Sequence, residues 1–269
     1  MATLRIGGTD ARLDAELLLA HALGASRASL YAWPDRVPDA AQRAAFERLV
    51  DARARGEPIA YLTGHREFWS LDLAVTPDVL IPRPETELLV ELALQRIPRE
   101  RAVRVADLGT GSGAIALAIA RERPLARVTA TDASAAALDV ARANAERLGI
   151  GNVAFAMGDW FAAVGDARFD VVVSNPPYIA AGDSHLGEGD LRFEPAPALA
   201  SGADGLDAIR RIAAEAPAHL AGAGALLLEH GFDQSARVRA LLDAAGFEHV
   251  ASVGDHAGHE RVTHGTKPA

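Results

Sequence analysis

Hydrophobic and polar positions change period once along this chain. Up to about residue 75 the apolar residues recur at helical spacing. Leu13, Leu17, Ala20 and Leu23 fall on one helical face, and Thr9 or Asp10 stands where an N-terminal cap belongs. Residues 26–33 read as a short helix stopped by Pro34. Asp39 is placed to cap a third helix, with Ala44, Leu49 and Val50 on its apolar side and Gly56 at its end. Residues 66–75, REFWSLDLAV, alternate in part and predict a strand or hairpin. Pro77, Pro82 and Pro84 then punctuate the chain, which sets the expected domain boundary: a helical domain over 1–75 and a second domain over 76–269.

Beyond the prolines, short apolar runs alternate with helical patterns. Strands are expected at 103–108, 128–131, 153–156, 171–174 and 225–229. Helices are expected at 114–123, at 133–148 closed by Gly149, and at 206–220. Buried strands separated by helices mean a mostly parallel sheet covered on both faces. Residues 249–253 and 261–264 add an antiparallel pair at one edge. The expected fold is α/β: a Rossmann-like, doubly wound sheet behind a small N-terminal helical domain.

Composition narrows the class. With 49% hydrophobic and 23% charged residues the chain is an ordinary globular protein. No apolar run reaches the roughly 18–20 residues that span a bilayer, and the first residues lack the apolar stretch of a signal peptide. The expected location is the cytoplasm. There is no cysteine, which excludes disulfides, thiolate zinc sites, Cys-ligated clusters and a cysteine nucleophile. A net charge of −9 argues against a protein whose main task is gripping phosphate backbones.

The first candidate chemistry lies in Asp107-Leu-Gly109-Thr110-Gly111-Ser112-Gly113, between the first strand of the second domain and its helix. Glycines there permit a sharp turn and a close ligand approach. Asp132 stands at the tip of the next strand, where an acid accepts hydrogen bonds from a ribose diol. A nicotinamide dinucleotide and S-adenosylmethionine both want that acid, and a plain glycine turn capped by Asp is the third reading. Asp107 before the loop, and Gly158-Asp159-Trp160 after the third strand, favour the methyl donor. They suit an amine and a sulfonium, and they place an acid and an aromatic where adenine is bonded and covered.

The second candidate is Asn175-Pro176-Pro177-Tyr178, directly after a strand and therefore at the ligand edge of the sheet. A planar amide or exocyclic amine is a poor nucleophile because its lone pair is delocalised. Two acceptors that fix its N–H groups turn the lone pair toward an electrophile. The Asn175 side-chain oxygen and the Pro176 carbonyl are such acceptors, the prolines hold the turn rigid, and Tyr178 offers a flat face. A proline-terminated strand with no further role is the alternative.

With these residues in place, the chain resembles the class I, S-adenosylmethionine-dependent methyltransferases of the HemK type, which modify a glutamine side-chain nitrogen in peptide-chain release factors. The resemblance runs through Tyr61-Leu-Thr-Gly64, Phe68, Ile81-Pro-Arg-Pro-Glu-Thr-Glu87, the glycine loop, Thr131-Asp132, Asp159-Trp160 and the segment from Asn175 to Ile179. It continues in Phe193-Glu-Pro195, Ala198-Leu199, Asp204-Gly-Leu-Asp207 and Asp255-x-x-Gly258-x-x-Arg261. Residues 180–189 depart from the pattern with extra glycine. The resemblance implies that Gly109, Thr110, Gly111, Ser112, Gly113, Asp132, Asp159 and Trp160 contact the methyl donor. It implies that Asn175 lies between donor and substrate, and that Asn175, Pro176, Pro177 and Tyr178 hold the glutamine of a Gly-Gly-Gln loop. It also implies that the helical domain meets the release factor. Arg83, Glu85 and Glu87 have a second explanation, since Pro followed by acids is what a helix start favours.

Two other functions compete. The same tetrapeptide can aim an adenine N6 in a nucleic acid, against which stand the acidic balance and the lack of a second basic domain. A non-catalytic binder that keeps the fold has no use for amine-aiming acceptors. Metal binding is not expected: His256-x-x-His259 has helical spacing, but no carboxylate accompanies it in a metal-binding pattern. Glu229-His230-Gly231 closes a strand at the ligand edge, either lining the cleft or holding structure.

Overall fold

The computed structural model describes residues 2–269 and divides into two compact units. One takes in the chain up to His65 together with Gly187–Phe193; the other comprises Arg66–Leu186 and Glu194–Ala269.

The first unit is helical: α1 (Ala2–Ile6), α2 (Ala11–Ala22), α3 (Arg27–Ala32), α4 (Ala40–Ala54) and α5 (Ile59–Thr63). Ser26 caps α3 by accepting the Ser29 N–H. Asp39 and Gln42 form a reciprocal capping box on α4, each side chain accepting the other's backbone N–H at 2.8 and 3.1 Å. The inward face of α2 differs from the one the leucine spacing predicts. Leu13 is exposed and Leu17 half-buried, while Ala11, Asp14, Leu18 and Ala20 point inward. The cause is a polar residue that an apolar count passes over. Asp14 accepts the Arg53 Nε–H at 2.7 Å, and this pair sets the rotation of α2 against α4. On α4, Val50 is buried as expected, Leu49 is half-buried and Ala44 is exposed. Arg53 also reaches Asp190 at 3.0 Å, and Arg192 donates to the Arg55 carbonyl at 2.7 Å, so the distant segment Gly187–Phe193 packs with these helices.

The second unit opens at Arg66, within a hairpin of β1 (His65–Phe68) and β2 (Leu71–Ala74), whose two turn residues Trp69 and Ser70 both have positive φ, as a two-residue hairpin turn requires. Phe68, Leu71 and Leu73 are buried in the core of this unit. The chain therefore divides at His65 and Arg66, ten residues before the proline-based boundary at 75, because the hairpin's apolar side chains belong to the second core and not to the helical unit. A single 3-10 turn (Pro84–Thr86) leads into α6 (Glu87–Arg96).

The central sheet comprises β3 (Arg104–Leu108), β4 (Arg127–Asp132), β5 (Val153–Met157), β6 (Phe169–Ser174), β7 (Leu220–Glu229), β8 (Glu248–Gly254) and β9 (Glu260–Thr266). Their spatial order is β5-β4-β3-β6-β7-β9-β8. All pairings are parallel except those of β9 with β7 and β8. Helices α7 (Ala114–Glu122), α8 (Ala135–Leu148), α9 (Asp207–His219) and α10 (Ser235–Ala244) complete the unit. Each strand serves two cores by alternation. Val105, Val171, Val173 and Leu227 join α6 and α7 on one face; Ala106, Leu108, Val172 and Leu226 join α9 and α10 on the other.

The order of strands reverses between β3 and β6, which lie side by side while their connections lead to opposite edges. The carboxyl ends of those two strands therefore open a crevice, the place where such sheets bind ligands. One buried side chain braces it: the Asn144 amide of α8 exchanges two hydrogen bonds with the backbone of Ala74 and donates a third to the Ser112 carbonyl. Hairpin, helix and glycine loop are thereby pinned to one another.

Candidate active site

The glycine loop after β3 is shaped from below. Asp107 is fully buried; its Oδ2 accepts the Thr110 hydroxyl at 2.6 Å and the Ala116 N–H at 3.2 Å. Its Oδ1 has no partner, and burial pushes its pKa up to about 7. The Thr110 and Gly109 N–H groups bond to the Thr131 carbonyl, and Gly113 N–H bonds to Thr110. Thr110 and Ser112 are buried within the loop, which presents Gly109 and Gly111 to the crevice.

Asp132 ends β4 and divides its oxygens: Oδ2 accepts the Gly111 N–H and Oδ1 the Ser134 N–H, each at 2.9 Å. Each oxygen keeps a second lone pair for a ligand. Trp160 lies after β5 with a positive φ of 52°, an uncommon conformation for a bulky residue. Its ring lies over the loop, and a Cβ on Gly109 would stand 3.2 Å from it, so only glycine leaves the ring in place. Asp159 forms an ion pair with Arg211 of α9.

These groups enclose a cavity of ≈ 380 Å³. Gly109, Gly111, Asp132, Asp159, Trp160, Asn175 and Pro177 line it, together with Ser134, Ala137 and Gly158. Pro176 is buried beneath, and Tyr178 is half-buried, packed against the α9–α10 core, with its carbonyl accepting the Gln234 Nε2–H at 2.9 Å. Two further walls have no site role in the sequence reading: Asp78, Val79 and Leu80 on one side and Pro195, Pro197 and Ala198 on the other. They are joined through Glu194, which accepts the Ile81 N–H at 3.0 Å and pairs with Arg83. Paired Pro-rich segments were the available signal.

At the floor, Asn175 donates its Nδ2–H to the Thr86 hydroxyl at 3.2 Å, and among the described residues nothing bonds its Oδ1. His230 does not line the cleft; it is buried between Gly231 and Thr263, at 2.9 and 2.7 Å. His256 and His259 fall in the turn between β8 and β9, and among the described residues no three His, Asp or Glu side chains converge as a metal site would need.

Apolar walls, a glycine loop that meets the Trp160 ring closely, and the Asp132 carboxylate with spare acceptors fit a purine nucleoside with its ribose diol. The sheet order, the glycine loop and this cavity together define a Rossmann-like methyltransferase that uses S-adenosylmethionine. The fold is that of a methyltransferase from Pyrococcus furiosus (TM-score 0.54, 20% identity, 74% of this chain and 90% of that one). It is also that of the T. thermophilus 16S rRNA N2 G1207 methyltransferase in complex with AdoMet and guanosine (TM-score 0.56, 22% identity, 76% and 49%). Residues 85–190 match the methyltransferase small domain and residues 4–64 the PrmC N-terminal domain. The release factor glutamine methyltransferase of Xylella fastidiosa (strain Temecula1) is 58% identical over 257 residues, 96% of this chain and 94% of that protein. That of Burkholderia pseudomallei is 58% identical over 271 residues, 98% and 95%. The chain belongs to the family of release factor glutamine methyltransferases.

Proposed function

We propose that this protein methylates the side-chain amide nitrogen (N5) of the glutamine in the Gly-Gly-Gln loop of peptide-chain release factors, with S-adenosylmethionine as donor. The observation that carries the reading is the orientation of Asn175: its amide nitrogen donates to Thr86 inside the protein, which leaves Oδ1 for a substrate N–H. When bound, the donor supplies an electrophilic methyl group on a sulfonium. Asp132 accepts the ribose hydroxyls, Gly109 and Gly111 let the ligand approach the backbone, and Trp160 covers the base beside Asp159. Thr110, Ser112 and Gly113 serve the donor through the loop shape they maintain. Asn175 Oδ1 and the Pro176 carbonyl accept the two N–H groups of the glutamine amide. Pro177 stiffens the turn and Tyr178 supports the planar group. The nitrogen becomes acidic as it is alkylated, so no strong base is needed in the site. The helical unit is the docking surface for the release factor, the reaction requires no nucleic acid, and it takes place in the cytoplasm.

Labelled donor, incubated with the protein and either release factor or DNA, tests the reading. Label is expected on release factor alone, and replacing the loop glutamine by alanine abolishes it. Label on DNA, or on release factor without that glutamine, contradicts the proposal.

A further inference from the structure

Glu229 is the last residue of β7, and the parallel register of β6 and β7, in which Ser174 stands opposite Leu228, brings it beside Asn175. It is 1% exposed, its Oε2 has no partner, and the Thr86 hydroxyl and the Asn175 amide are the polar groups that favour its charged form. We infer that Glu229 and Thr86 are positioning residues, and that ionised Glu229 selects the amide rotamer that turns Asn175 Oδ1 to the substrate. The inference rests on the role proposed above for Asn175.

The argument is one of hydrogen-bond direction. Thr86 has one hydroxyl proton and accepts the Asn175 Nδ2–H. That proton therefore needs an acceptor elsewhere, and the Glu229 carboxylate is the one at hand. The donors then run one way, from Asn175 through Thr86 to Glu229. An ionised carboxylate only accepts, so it enforces this direction. A protonated Glu229 is also a donor. It can give its proton to Thr86 Oγ1, whose own hydrogen then satisfies Asn175 Oδ1 on a flipped amide. Two N–H donors would then face a substrate amide that needs acceptors.

The surroundings hold the switch in a usable range. Burial pushes the Glu229 carboxyl up to about 7. Glu85 adds to that rise; Arg261 of β9, itself paired with Asp255 at 3.3 Å, opposes it. Tyr178 faces the carboxyl and is kept neutral by burial and by Glu229. Glu87 accepts the Trp69 N–H instead, and His230 is occupied by Thr263.

The test is single-turnover methyl transfer to full-length release factor at saturating donor, from about pH 5 to about pH 9, with donor and release-factor affinities measured separately. The wild-type rate is expected to rise with pH through about 7. In Glu229→Gln that rise disappears and the rate is about tenfold below the wild-type alkaline plateau, with both affinities within about twofold of normal. Thr86→Val falls similarly and Thr86→Ser restores the rate, a pair that decides the matter if Glu229→Gln does not fold. A folded Glu229→Gln with the wild-type plateau and pH limb overturns the inference, as does Thr86→Ser no better than Thr86→Val. Asn175→Ala in the same assay separates the two readings: if it also transfers normally, the amide-aiming role itself is wrong.

Discussion

The Glu194 carboxylate pairs with the Arg83 guanidinium and, through its other oxygen, accepts the Ile81 N–H at 3.0 Å. Glu194 is buried and Arg83 only partly so. This one side chain ties together the two Pro-rich segments that wall the cavity, and it supplies a reason for Arg83 that a helix-start preference lacks. Glu194→Ala leaves a buried backbone N–H unpaired and releases the arginine, at a cost of about 1–3 kcal/mol. The expected outcome is a lower thermal midpoint and weaker donor binding, read by scanning calorimetry and titration. Unchanged donor affinity in the folded variant would separate the clasp from the cavity.

Much of this architecture is legible in the sequence, and the exceptions have physical causes. Strands β3, β4 and β6 are short apolar runs ended by Asp, Gly or Asn, so period and punctuation agree. On α2 they disagree, because Asp14 points inward to Arg53. Helix α10, SARVRALLDA, carries too few apolar positions to stand out, although Val238 and Leu242 are fully buried. The hairpin's allegiance depends on Phe68, Leu71 and Leu73 packing against residues distant in the chain. In the site, Asp132, Trp160 and Asn175 announce themselves by type and position. Glu229 shows in the sequence only as a strand end at the ligand edge, because its neighbour Asn175 is set by the register of two strands distant in the chain.

Asp107 and Glu229 give the fold a pH dependence of definite sign. Both have folded pKa values raised to about 7 from 3.8 and 4.5, chiefly by burial. A raised carboxyl pKa stabilises the fold fully below the unfolded value and loses that contribution as pH rises through the folded one. Between about pH 4 and pH 7 the two acids should therefore lower stability as pH increases, by a few kcal/mol at most. Asp107→Asn keeps an acceptor for Thr110 and Ala116 but cannot ionise. Urea unfolding is expected to show a shallower fall with pH in this variant; identical slopes would mean that Asp107 titrates alike in the folded and unfolded chains and is not raised by burial.

Asp132→Ala removes both the acceptors at the tip of β4 and the anchor of Gly111 N–H. Hydrogen bonds to a charged group contribute about 1.5–3 kcal/mol, so donor affinity should fall about 10- to 100-fold. No core volume is lost, and the thermal midpoint should move little. Calorimetric titration of S-adenosylmethionine checks this, and wild-type affinity would take Asp132 out of the site.

The central claim is that Asn175 aims the substrate amide. Asn175→Ala removes one of two acceptors from the cavity lining while leaving Gly109, Asp132, Trp160 and the helical unit unchanged. Loss of one positioning contact in a transition state costs about 10²–10³ in rate. Single-turnover methyl transfer at saturating donor, with release-factor binding measured independently, is the direct test. The account predicts near-normal binding and transfer at least about a hundredfold slower. Transfer near the wild-type rate would contradict it.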